Sequence, residues 1–239
     1  MCSSDLSQVY PGVVRRLLVV AGFAVAMGWL ESAVVFYLRR LVDRIEPYQP
    51  NPLPVAGDLG GAELLREPAT LLMLLAVGWL AGRTGRARFG HFVVAFGIWD
   101  ISYYVFLVPL TGWPHSLLDW DILFLIPLPW WGPVLAPVMI AALMILGGCV
   151  LAFNDAPDVP ALWPSRRTVW LSAVGVTLAL YVFMADAIRA VGRGESVQTI
   201  LPATFNWPLF LAAWVLMALP AVALLRQYLD RRGTSRGRP

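Results

Sequence analysis

Runs of about 20 apolar residues alternate with short polar segments along this chain, and the alternation predicts six membrane-spanning helices. The spans read as Leu17 to Leu38, about Leu64 to Gly82, Phe89 to Leu110, about Val134 to Phe153, Val169 to Ala190 and Leu209 to Leu225. The second and sixth are short, and the longest loop joins the first two. "RRLLVVAGFAVA" imitates a signal peptide with a cleavage site at Ala24-Val25-Ala26. Apolar sequence continues to Leu38, however, too far for a simple signal core, so the segment is read as a span. The expected fold is an all-α, polytopic transmembrane helix bundle, one integral membrane domain over residues 1–239.

One stretch breaks the pattern. "SLLDWDILFLIPLPWWGPVLAP", Ser116 to Pro137, places Asp119 and Asp121 beside an apolar run interrupted by Pro127, Pro129, Pro133 and Pro137. Each proline lacks an N–H and clashes with the preceding helical turn, so a helix continuous from Ile122 is disfavoured. Non-helical backbone is tolerated at membrane depth only where protein buries it or water reaches it. The stretch is therefore expected to dip into the interface, or to re-enter the membrane, before the fourth helix starts near Pro133. Trp113, Trp120, Trp130 and Trp131 fit an aromatic belt at that level. Two readings stand: an interfacial anchor, or the rim of a cavity.

Composition agrees with a membrane chain: 59% hydrophobic, 14% charged, mean hydropathy +0.68, against about 25% charged in soluble domains. All 18 basic residues are arginine. Without lysine there is no Schiff base, which excludes retinal or pyridoxal phosphate attached in that way. The pI of about 9.1 is read as basic loops against anionic lipid rather than nucleic-acid binding. Cys2 and Cys149 form neither a CxxC pair nor a disulfide framework. "CSSDL" is what a common sequencing-adapter end would encode in frame, so Met1 to Leu6 is expected to be an assembly artefact.

Arginine placement sets the expected orientation. With the N-terminus in the cytoplasm, 12 arginines lie inside and 6 outside. This predicts a multi-pass protein of the bacterial inner membrane, N-in and C-in. Glu31 then lies about 10 Å below the outer end of its span and Asp100 near the middle of the third, at about 1.5 Å per residue. Glu67, followed by Pro68, is placed in the first turn of the second helix, where a carboxylate suits the dipole and proline is tolerated. Asp186 has Arg189 three residues on, a helical ion pair. Carboxylates at membrane depth are costly and usually face the bundle interior. Four helices thus aim acids at the outer half of one bundle. Tyr103 and Tyr104 lie one turn beyond Asp100 and are candidates to satisfy it. Glu31 has no cation within helical reach, so its partner must come from another helix, water or a ligand.

Familiar chemistry mostly fails. His115 and Asp119 are a possible metal pair, with Glu31, Glu67 or Asp100 as further oxygen ligands for a divalent ion, and no other cofactor is expected. HExxH, P-loop, GxGxxG and nucleophile-elbow motifs are absent. Gly78-xxx-Gly82 and Gly22-xxx-Ala26 read as helix-packing faces. "NDAPD", Asn154 to Asp158, resembles half of the aspartate motif of UbiA-type prenyltransferases, but Pro157 and Pro160 break the helix that motif needs. "WDISYYVFL … GWPHSLLDWDILFLIPLPWWGPVLAP", Trp99 to Pro137, is similar to a pattern in uncharacterised bacterial multispanning membrane proteins. That resemblance covers the central third of the chain and implies membrane class without an activity.

Three classes of function remain open. The acids can serve as a cation or proton site, or hold a small lipophilic ligand, with Glu31, Asp100, Asp119, Asp121, Glu67, Tyr103 and Tyr104 as candidates. A carboxylate pair can instead perform acid–base work on a lipid or isoprenoid. Lastly, the chain can be an accessory subunit whose acids bind only its own helices or other membrane subunits. The lipid bilayer is the expected partner in every case.

Overall fold

A computed structural model describes residues 6–43, 46–49, 58–153, 163–197, 201–202 and 204–236. Met1 to Asp5 and Asn154 to Asp158 lie outside the described residues, and with them the adapter and UbiA-like readings. The elements run α1 (Leu6–Leu41), α2 (Asp58–Ala81), α3 (Gly85–Thr111), β1 (Trp120–Phe124), β2 (Trp130–Pro133), α4 (Leu135–Phe153), α5 (Arg166–Arg193) and α6 (Trp207–Arg236). Six of these helices, among the described residues, are long and apolar enough to cross a membrane. The chain is a multi-pass, helical membrane protein.

Helix ends follow local chemistry. Thr84 caps α3 by accepting the Ala87 amide at 3.2 Å, and Ser165 caps α5 by accepting the Thr168 amide at 3.2 Å. Gly112 and Gly194 close α3 and α5 in the left-handed region, at φ 76° and 70°, where only glycine avoids a Cβ penalty. The helices are longer than the apolar runs predict. α2 covers Asp58–Ala81 and α6 Trp207–Arg236, so neither the second nor the sixth helix is short. Hydropathy alone misses the polar turns that continue a helix beyond the lipid-matched stretch.

α3 is the centre of one half. It packs on α1, α2 and α4, whereas α1 and α2 scarcely touch each other. α4 bridges to α6, which pairs with α5. Small residues permit the closest approaches. A Cβ on Gly148 would lie 2.6 Å from the Gly90 carbonyl oxygen, and one on Gly78 2.5 Å from the Phe92 amide. Gly78 and Gly82 do pack, against the start of α3. Gly22 does not: nothing lies within 4 Å of its Cβ position, and both it and Ala26 are exposed. On α1 the packing glycine is Gly28, whose Cβ position is 2.7 Å from Ser102. Hydropathy and small-residue spacing did not distinguish the two faces of α1.

The proline-rich stretch is a β-hairpin. β1 and β2 pair antiparallel with Trp120 opposite Pro133, Asp121 opposite Gly132 and Ile122 opposite Trp131, and the register is irregular between Ile122 and Phe124. Pro127 and Pro129 fall in the turn and Pro133 at the strand end, where a missing N–H costs least. The Val134 and Leu135 amides donate to the Asp119 and Leu117 carbonyls at 2.9 and 2.7 Å, carrying the pairing into the start of α4. The aromatic-belt expectation is corrected for two tryptophans: Trp113 and Trp131 are 3% and 2% exposed. Trp130 stacks on Phe183 of α5 at 6.4 Å, and Trp120 on Tyr48 at 6.1 Å. These rings fasten the hairpin to the bundle.

Candidate functional site

α1, α2 and α3, with β1, Val42, Glu46 and Pro47, line a partly open cavity of about 200 Å³. Glu31 and Asp100 both line it, together with Glu46, Glu63, Glu67 and Asp121. Among the described residues, two cations, Arg39 and Arg66, line it with these six carboxylates. The chain's alternation brings the acids together: α1 ends, α2 begins and α3 ends at the hairpin end of the bundle. Apolar and aromatic groups complete the wall, among them Val35, Leu123, Phe124, Trp99, Tyr103 and Tyr104.

The two arginines settle part of this charge. Arg66 spans α1 and α2. Its Nε and Nη2 grip Glu63, the Nη2 contact at 2.7 Å, and its Nη1 meets Glu31 of α1. Glu31 therefore obtains from α2 the cation that its own helix lacks. Arg39 lies over the Trp113 ring at 4.5 Å and pairs with Asp121 Oδ1 at 3.4 Å. Asp121 is 2% exposed. Burial pushes its carboxyl up to about 6, although Arg39, the Tyr104 hydroxyl and the Ile122 amide favour the ionised form.

Three carboxylates keep an oxygen that has no hydrogen-bond partner among the described residues. Asp100 Oδ2, Asp121 Oδ2 and Glu67 Oε2 are buried without a hydrogen-bond partner. Buried acceptors in folded proteins nearly always have partners, and each exception needs an explanation. Trp99, on the same wall, leaves its indole N–H without a partner as well. Neither Tyr103 nor Tyr104 satisfies Asp100 Oδ2.

Two expectations about individual acids are corrected. Glu67 does not open its helix. α2 begins at Asp58, about two and a half turns earlier, and Pro68 lies inside it. Glu67 instead accepts the Leu125 amide at 2.8 Å and ties the hairpin to α2. Spanning helices tolerate an internal proline that a soluble helix would place at its first turn. Asp119 does not line the cavity. It closes the turn before β1, accepting from the His115 amide at 2.7 Å and the Ser116 hydroxyl at 2.8 Å. Partial burial works to raise its carboxyl, but the Ser116 hydroxyl and the His115 and Ser116 amides prevail and hold it below its ordinary value. His115 Nδ1 lies 3.4 Å from Asp119 Oδ2. No group of three or more His, Cys, Asp or Glu among the described residues is arranged to hold a metal ion. Asp186 and Arg189 do meet, on a half-exposed face of α5 away from the cavity.

Sequence reasoning missed Arg39, Arg66, Glu63 and Trp99. The first two are among the six arginines that the orientation count places outside. A helix begun at Asp58 would have shown Glu63 and Arg66 as an i,i+3 pair. No protein-family model, curated protein or solved structure matches the chain.

Proposed function

We propose that the cavity beneath the hairpin is a cation-binding site, in which the bound cation competes with protons. The observation that carries this reading is that, among the described residues, six carboxylates and two arginines line the cavity, with unpartnered oxygens on Asp100, Asp121 and Glu67. Isolated ionised carboxylates are costly away from water, so a cation or a proton must meet them. The arginines account structurally for Glu31 and Glu63 but leave these three oxygens unmet. Asp100, rather than Glu31, is the acid left to meet a ligand. A volume of about 200 Å³ is below the roughly 300–1,000 Å³ of drug-sized pockets. It suits an ion with water, or a ligand of a few heavy atoms.

The membrane assigned is the bacterial cytoplasmic one, with both termini inside and the cavity towards the outer face. The support is the twofold arginine bias across the loops. The site is tested on the full chain in detergent by melting with sodium, potassium, magnesium, calcium and ethylammonium chlorides at constant ionic strength. A ligand at about 100 times its Kd stabilises by about 2.7 kcal/mol. At least one cation should raise the melting temperature, release protons into weakly buffered solution, and lose both effects in Asp100→Asn. Indifference to every cation would overturn the cation site.

A further inference from the structure

The unpartnered atoms around the cavity differ in kind. Three are acceptors, on Asp100, Asp121 and Glu67, and one is a donor, the Trp99 indole N–H. Asp121 and Glu67 are 2% and 8% exposed, so bulk water does not readily serve their oxygens. The carboxylates are spread around the wall, and no three ligating side chains among the described residues come together as a metal site requires. Magnesium and calcium need six or more oxygens at about 2.0–2.6 Å. An ammonium group makes different demands. It offers up to three N–H donors and is attracted to aromatic faces within about 6 Å of the ring centroid. Trp99, Tyr103 and Tyr104 supply such rings beside Asp100 and Asp121, and the two tyrosine rings are 4.9 Å apart, edge to face.

We propose that the cavity takes the N–H-bearing ammonium group of a small organic cation, its nitrogen between Asp100 and Asp121 beside Trp99, Tyr103 and Tyr104. This rests on the cation-site reading above and narrows it. Orphaned acceptors select N–H donors over a quaternary nitrogen, which has none. The Trp99 indole adds a preference for a ligand carrying an acceptor near the ammonium, such as a hydroxyl or an ester oxygen. A free amino alcohol and the headgroup of an ethanolamine lipid share that chemistry. α1 and α2 make few contacts with each other, and Arg66 bridges them at the cavity through Glu31 and Glu63.

The test uses the full chain in detergent, with ethanolammonium, ethylammonium, tetramethylammonium, sodium and magnesium chlorides at equal ionic strength. Melting temperature and calorimetric affinity are the readouts. Ethanolammonium should bind at least tenfold more tightly than tetramethylammonium, and Asp100→Asn and Asp121→Asn should each weaken it at least tenfold. Trp99→Phe should bring its affinity down to that of ethylammonium. Metal ions stabilising through Asp100 while the amines do not would overturn the ammonium inference and leave the cation site standing. Tetramethylammonium matching ethylammonium would overturn the requirement for N–H donors. If no cation binds, both readings fall. Nanodiscs distinguish the source: ethanolamine lipid abolishing the effect of added ethanolammonium assigns the headgroup, and an unchanged affinity assigns the free amine.

Discussion

Arg66 bridges two helices that otherwise hardly meet, so its removal should cost far more than removal of either acid it holds. Glu31 and Glu63 are 11% and 14% exposed at the side chain, and Arg66 24%. Arg66→Met keeps much of the side-chain volume but leaves both carboxylates without their cation. Breaking a buried pair by deleting one partner costs about 3–5 kcal/mol, mainly because a charge stays buried unpaired. Glu31→Gln is milder. Arg66 keeps its two-pronged grip on Glu63, so the loss is one charged hydrogen bond, about 1.5–3 kcal/mol at most. In a chain of this length, 1 kcal/mol moves the melting temperature by about 2–4 °C. Arg66→Met should therefore melt at least 6 °C below wild type, and below Glu31→Gln.

The decisive variant removes all three charges. Replacing a buried ion triad by apolar groups of similar size is often neutral or stabilising, because the desolvation cost vanishes with the charges. Arg66→Met/Glu31→Leu/Glu63→Leu should melt well above Arg66→Met alone. The assay is size-exclusion-detected melting of the full chain in one detergent. An Arg66→Met protein within 2 °C of wild type, or a triple variant less stable than the single one, would refute the triad as the bridge between α1 and α2.

Three further outcomes follow from packing, protonation and orientation. Gly148→Ala should lower the melting temperature, since its Cβ would sit 2.6 Å from the Gly90 oxygen and overpacking costs about 1–3 kcal/mol; Gly22→Ala should not lower it, and equal effects would sink the packing account. Asp121, raised to about 6 from an ordinary 3.8, holds its proton longer when folded, so its contribution is complete below pH 4 and lost as pH rises through 6. That loss amounts to about 3 kcal/mol at about 1.4 kcal/mol per unit. The wild type should fall in stability relative to Asp121→Asn between pH 4 and 6, and parallel profiles would contradict it. In a Cys2→Ser/Cys149→Ser background, cysteines at Gly112 and Gly194 should label from outside and one at Gly85 only after permeabilisation. Outside labelling at Gly85 would reverse the orientation.

The spans were legible because lipid imposes a length and an apolar requirement that a single sequence displays. Their ends were less so. At the start of α2, "DLGGAELLRE" is too polar for the lipid-matched window, yet it is helical, and Pro68 inside the helix imitated a first-turn proline. The hairpin was half legible. Four prolines announced that the helix breaks, but pairing Trp120–Phe124 with Trp130–Pro133 depends on a register that a run of apolar and aromatic residues does not encode. Trp113 and Trp131 looked like interfacial rings for a related reason. Tryptophan suits both a membrane interface and a buried wall, and only the neighbours, Arg39 and Tyr104 for Trp113 and Tyr48 for Trp131, decide between them.

The acids show where reading along one chain stops. Parity placed Glu31, Glu67 and Asp100 at the same end of the bundle, because each successive span reverses direction. Whether an acid is free to act depends on which arginine reaches it from another element, and that contact is long-range in sequence. Arg66 reaches Glu31 across 35 positions and Arg39 reaches Asp121 across 82. Counting arginines for topology treats both as loop charges, and a count along the chain does not reveal that they are counter-ions. With those pairs in place, Glu31 becomes a framework residue that holds α1 to α2. Asp100, mid-span with an oxygen nothing meets, becomes the residue on which a bound cation would have to depend.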